Sequence, residues 1–169
     1  MRRLLLLDDE ANVLHALQRA LHQCQLATDL RIEIFTDPAQ ALVRAVEVEF
    51  DVVISDFQMP QMDGIEFLRR FRQMQPDAVR LILSASTDFD TVKRAINEVE
   101  ILRFIPKPWQ LSDLQEVILL ALARRENTDS VKLKLGELTP QQLAERQLEA
   151  EEPGITKVNW DTDGSVRLD

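Results

Sequence analysis

Asp8, Asp9 and Asp56 are carboxylates that each close a short apolar run: residues 4–7 lead into the first two, and 52–54 lead into Ser55 and Asp56. Two further runs end in groups that could hold a phosphoryl group, 81–83 at Ser84 and 104–105 through Pro106 into Lys107, Pro108 and Trp109. Three clustered acids can hold a hard divalent cation, and Mg²⁺ favours an octahedral shell of a few carboxylates and retained waters. A carboxylate beside such a cation is a plausible nucleophile toward phosphorus, because the metal neutralises the incoming phosphoryl oxygens; the product is an aspartyl phosphate. Lys107 would pair with that phosphoryl group and Ser84 would hydrogen-bond it. Each residue alone has a plainer role. Asp8 and Asp9 suit a helix N-cap, with acids favoured by the helix dipole. Asp56 before a loop is ordinary, and a lone lysine is usually a solvated charge. What makes the set specific is that all five side chains fall at one edge of an inferred sheet.

That sheet follows from alternating patterns. After the strand at 4–7, residues 11–25 place Val13 or Leu14, Leu17 and Leu21 on one helical stripe. A strand at 31–35 is followed by Asp37-Pro38, an N-cap with proline at the first helical position, opening a helix to about residue 48. A strand at 51–56 leads into a loop carrying Pro60 and Asp63-Gly64. The helix from 65 to about 74 stops at Pro76 and Asp77. A strand at 80–84, a helix at 88–99, a strand at 103–105 and a helix at 112–125 complete five β-α units. This alternation predicts a parallel sheet with helices on both faces, and such sheets bind ligands outside the carboxyl ends of their strands.

Composition narrows the alternatives. A chain of 169 residues has room for one ordinary domain and a short appendage, and 45% apolar with 29% charged residues suits a soluble globular protein. No apolar run approaches the roughly 18 residues that span a bilayer. Arg2, Arg3 and four leucines imitate a signal peptide, but Asp8 and Asp9 cut the run short, so a cytoplasmic protein without a membrane partner is expected. Cys24 is the single cysteine and offers no disulfide framework. The net charge of −9 opposes nucleic-acid binding, and Arg69, Arg70 and Arg72 read as a solvated helical face. His15 and His22 lie about 10 Å apart along a helix, too far to share one metal. Gly64 is the one glycine before residue 136, which excludes a Walker loop and a dinucleotide fingerprint.

Leu-Leu-Leu-Leu-Asp8-Asp9-Glu10, Val53-Ile54-Ser55-Asp56 followed by Met59-Pro60 and Met62-Asp63-Gly64, Leu83-Ser84-Ala85 and Lys107-Pro108 stand in the order and spacing of a known family. Over residues 1–125 the chain resembles the receiver domain of two-component response regulators. The resemblance implies a doubly wound, flavodoxin-like α/β fold with a five-stranded parallel sheet in the order 2-1-3-4-5. It implies that Asp56 accepts a phosphoryl group from a sensor histidine kinase or phosphotransfer protein. Mg²⁺ would be held by Asp9, Asp56 and the backbone carbonyl of Gln58, with Asp8 acting through water. Lys107 matches the family's lysine, often followed by a cis bond to proline, and Ser84 and Phe104 match its switch pair. The implied chemistry is self-phosphorylation and self-dephosphorylation rather than turnover of a substrate. Serine replaces threonine at 84, phenylalanine replaces tyrosine at 104, and Pro106 precedes Lys107. With no hydroxyl on Phe104, the switch would be decided by packing. The Ile105-Pro106-Lys107-Pro108-Trp109 string resembles receivers attached to HD-GYP phosphodiesterases or hydrogenase-type transcription regulators.

The expected organisation is a receiver at 1–125, a linker at 126–138 and an extension at 139–169. Thr139-Pro140 predicts the start of a short acidic helix at 141–150, and Asp161-Thr162-Asp163-Gly164 predicts a β-hairpin between 155–160 and 165–168. The rest of an EF-hand loop is missing, which counts against calcium binding there. On the fifth helix, Leu111, Leu114, Ile118 and Leu122 form the core stripe and leave Leu119 and Leu120 off it; the fifth helix or the extension would then serve a homodimer. Output through protein contacts is the leading expectation. A truncated regulator, whose missing domain binds DNA or hydrolyses a cyclic nucleotide, is the alternative. An aspartyl-phosphate phosphohydrolase is disfavoured because Gln58 stands where that class places its acid/base residue.

Overall fold

A computed structural model describes residues 1–24, 29–85 and 89–136. Five strands alternate with five helices: β1 (Arg2–Leu7), α1 (Ala11–Gln23), β2 (Leu30–Phe35), α2 (Pro38–Glu47), β3 (Val52–Asp56), α3 (Gly64–Met74), β4 (Val79–Ser84), α4 (Phe89–Val99), β5 (Arg103–Pro106) and α5 (Leu111–Gly136). The strands form one sheet in the order β2-β1-β3-β4-β5, with every pairing parallel.

Consecutive strand side chains point to opposite faces, and helices cover both faces, so the central strands carry apolar side chains toward both. The four leucines of β1 show the consequence. Leu4 and Leu6 join Leu14, Leu17 and Leu21 of α1 and Leu114, Ile118 and Leu122 of α5. Leu5 and Leu7 join Ala41 and Ala45 of α2 and Ile65, Phe67, Leu68 and Phe71 of α3. Burying side chains of this size contributes about 1.5 to 3 kcal/mol each.

Local signals set the helix starts. Asp37 Oδ1 accepts the Ala39 N–H at 2.9 Å with Pro38 at the first position, and Asp63 Oδ1 accepts the Glu66 N–H at 2.8 Å. The N-cap of α1 is Glu10, which makes no side-chain capping bond. Asp8 Oδ1 instead accepts the Glu10 N–H at 2.9 Å, bracing the turn before the helix.

Most boundaries fall within two residues of the sequence expectation, but α5 does not. It continues past Arg125 to Gly136, through the stretch expected to be a linker. The apolar stripe fades after Leu122, yet residues 126–135 contain no proline or glycine, and adding residues to an existing helix costs little compared with nucleating one. Leu111, expected on the core stripe, is 42% exposed at the first position of the helix, while Ala121 is fully buried in the stripe.

Two compact units are distinguished, Met1–Asn127 and Thr128–Asp169. The expected helix at 141–150 and the expected hairpin at 155–168 lie outside the described residues. Among the described residues no helix is long and apolar enough to cross a membrane.

Candidate functional site

Strand register brings the chemistry to one edge. Leu7 pairs with Ser55, so Asp8 emerges from β1 level with Asp56 at the end of β3. Asp56 pairs with Leu83, placing Ser84 one residue beyond it, and Ser84 pairs with Pro106, which puts Lys107 next in line. The Lys107 N–H donates to the Ser84 carbonyl at 3.0 Å, and the Lys107–Pro108 bond is cis.

The carboxylates converge there. Oxygens of Asp8, Asp9 and Asp56 lie within 4.8 Å of one another, a set suited to a hard divalent cation. Asp8 is fully buried, Asp56 nearly so, and Asp9 faces solvent. Lys107 Nζ reaches both buried acids, 2.9 Å from Asp8 Oδ2 and 2.9 Å from Asp56 Oδ1. With Oδ1 on the Glu10 N–H, both oxygens of Asp8 are engaged.

Burial pushes the Asp56 carboxyl above the ordinary carboxylate range; Asp8 and Asp9 push the same way, and the Lys107 hydrogen bond opposes them. Burial alone would lower the Lys107 ammonium, but its hydrogen bonds to Asp8 and Asp56 outweigh that and hold it above its usual value. The site is therefore short of positive charge: one ammonium faces three carboxylates, an arrangement that a cation would complete.

Ser84 is buried at the end of β4, and Phe104 is half-buried on β5. Phe104 pairs with Ile82, two residues before Ser84 on its strand, so Ser84 and Phe104 stand on the same face of the sheet. Gln58 is exposed in the loop at 57–63. Thus Asp8, Asp9, Asp56 and Lys107 are brought into direct association, with Ser84 one register step away.

Two residues at this edge had no assigned chemistry. The Ser55 hydroxyl donates to the Asp56 carbonyl at 2.9 Å, and Gly64 packs against the same carbonyl. Glycine after Asp63 signals a turn in sequence, but its close approach depends on how α3 meets β3. A cavity of about 310 Å³ at another part of the surface is lined by residues including Val46, Met74 and Arg125, and contains none of the site residues. Arg69, Arg70 and Arg72 form a solvated face of α3, and they ion-pair there: Arg69 bonds Glu66 and Glu98, Arg70 bonds Glu66, and Arg72 pairs with Glu100.

A family model described as the response regulator receiver domain matches residues 4–119. The hydrogenase transcriptional regulatory protein HoxA of Bradyrhizobium diazoefficiens is 30% identical over 78% of this chain and 27% of its own length. The cyclic di-GMP phosphodiesterase response regulator RpfG of Xanthomonas campestris pv. campestris is 27% identical over 83% of this chain and 37% of its own. The chain thus spans about a quarter to two-fifths of these curated relatives. Among solved structures, the signal receiver domain of an HD domain-containing protein from Pseudomonas fluorescens Pf-5 superimposes with a TM-score of 0.70 at 32% identity, covering 76% of this chain and 92% of that one. Similarity to a hydrogenase regulator and to an HD-domain receiver agrees with the lineage suggested by residues 105–109.

Proposed function

This chain belongs to the response regulator receiver family, and we propose that Asp56 is its phosphoacceptor in a two-component switch. The observation that carries the reading is the Lys107 ammonium 2.9 Å from both Asp8 and Asp56, within a three-carboxylate cluster. An Asp56 oxygen attacks the phosphorus of a phosphohistidine on a sensor histidine kinase or phosphotransfer protein. The P–N bond breaks, its electron pair stays on the imidazole nitrogen, which takes a proton, and an acyl phosphate remains on Asp56. Bound Mg²⁺ would supply charge neutralisation at the phosphoryl oxygens. Asp9, Asp56 and the Gln58 carbonyl would hold it, with Asp8 acting through water.

Lys107 follows the negative charge, exchanging its Asp56 carboxylate partner for a phosphoryl oxygen while Asp8 keeps the other side of the ammonium. The buried Ser84 hydroxyl turns toward the new oxygens, and Phe104, on the same sheet face, repacks into the space released. Catalysis is confined to the chain's own phosphorylation and dephosphorylation.

The proposed organisation is a receiver at 1–125, a connection at 126–138 and an extension at 139–169, acting in the cytoplasm through protein contacts. Leu119, 46% exposed on α5, supports a homodimer through that helix or through the extension. The share of its relatives that the chain covers favours a second reading, in which an output domain of a longer protein binds DNA or hydrolyses a cyclic nucleotide. The phosphoacceptor chemistry is common to both.

Intact-mass measurement after incubation with Mg²⁺ and acetyl phosphate tests the proposal. One phosphoryl increment is expected, absent in excess EDTA and absent in Asp56→Asn. Equal modification of that variant would overturn it.

A further inference from the structure

Two uncharged residues converge on the backbone carbonyl of Asp56. The fully buried Ser55 donates its hydroxyl to that oxygen at 2.9 Å. Gly64, the first residue of α3, lies against the same peptide: a Cβ there would collide with the carbonyl oxygen and stand 3.0 Å from the Phe57 Cα and 3.1 Å from the Asp56 carbonyl carbon. Glycine is needed here for space. The obstructing atoms are backbone, so they cannot swing aside as a side-chain tip would.

The loop at 57–63 is pinned at both ends of this contact. The Gly64 N–H donates to the Phe57 carbonyl at 2.8 Å, closing the loop on itself, and the Phe57 N–H donates to the Leu83 carbonyl of β4 at 3.0 Å. The Asp63 cap holds the start of α3 at the other side of the same loop. A methyl group at 64 must therefore move either the helix start or the Asp56 peptide, and both movements are passed to residues 57–63.

We propose that Gly64 and Ser55 are positioning residues for the metal: they fix the Asp56 peptide and, through it, the path that presents the Gln58 carbonyl. This rests on the reading of Asp9, Asp56 and Gln58 as the Mg²⁺ ligands. Neither residue touches the reacting atoms. Each acts through the backbone that carries them.

Calorimetric titration with Mg²⁺ tests this on the wild type, Gly64→Ala, Ser55→Ala and Leu21→Ala. Thermal unfolding in EDTA is recorded alongside as an independent measure of stability. Leu21 is buried on α1 in an apolar cluster that contains no residue of the loop at 57–63, so its truncation destabilises helix packing away from the loop. Gly64→Ala should bind Mg²⁺ about 10-fold or more weakly, in the range found when residues supporting metal ligands are altered. Ser55→Ala should lose about 2- to 10-fold, the worth of one neutral hydrogen bond. Leu21→Ala should melt lower and keep wild-type affinity. Wild type that fails to bind Mg²⁺ overturns the ligand reading and this inference with it. Binding by wild type and equal binding by Gly64→Ala, or an equal loss in Leu21→Ala, overturns this inference alone. Should Gly64→Ala not fold, Ser55→Ala decides, and wild-type affinity there overturns the proposal.

Discussion

Lys107 and Asp56 are bonded to each other, yet each carries a different cost. Asp56 is raised above the ordinary carboxylate range, chiefly by burial, so its ionised form is less favourable in the folded chain than in the unfolded one. The sign is opposite to that of a salt-bridged surface acid: stability without metal falls as pH rises from the ordinary carboxylate range through the higher folded value. Asp56→Asn should therefore melt higher than wild type in EDTA at neutral pH; a lower melting temperature would contradict this electrostatic account. Removing the cation does the reverse. Lys107→Met leaves two buried carboxylates facing one another, and should cost about 3 kcal/mol in urea unfolding with EDTA. A loss below about 1 kcal/mol would show that Lys107 does not neutralise the pair. The four charged residues were legible because each ends a strand-like run. The parts played by Ser55 and Gly64 were not: the Ser55 hydrogen bond is a rotamer choice within β3, and the close approach of Gly64 exists only once α3 is laid against β3.

Among the elements, α5 departs most from its sequence pattern. Periodicity marks a helix only while it has a core to face, and the stripe of Leu114, Ile118, Ala121 and Leu122 ends one turn before Arg125. Arg125 continues it in another form. Its buried guanidinium lies 2.9 Å from Glu49 and 3.3 Å from Asp51, and Asp51 also accepts from the Arg2 side chain and the Arg3 N–H, each at 2.8 Å. A sequence pattern treats such an arginine as solvated, because only the fold shows carboxylates beneath it. Arg125→Ala should cost about 1.5 to 3 kcal/mol in a urea titration, the worth of hydrogen bonds to charged groups, since Asp51 loses one cation and keeps Arg2. The α3–α4 pairs are a contrast. Glu98→Gln removes partners from Arg69 and Arg94 on exposed surface and should cost less than about 1 kcal/mol. Similar losses for both variants would mean that burial does not distinguish these networks.

Across the whole molecule, the parallel sheet and its two apolar layers follow from runs such as Leu4 to Leu7, which suit a strand covered on both faces. The strand order β2-β1-β3-β4-β5 came from family resemblance, because alternating elements alone are compatible with several parallel orders. That order matters to function: it places β1 beside β3 and so sets Asp8 next to Asp56, with β4 and β5 delivering Ser84 and Lys107 from the other side. Under the proposed function this edge forms an acyl phosphate on Asp56. It is read most directly by phosphorylating the chain with Mg²⁺ and acetyl phosphate, reducing with borohydride and sequencing the peptides by mass spectrometry. Conversion of residue 56 to homoserine, and of no other aspartate, is the expected result. Reduction at a different residue, or none in a chain that has gained a phosphoryl group, would contradict the account.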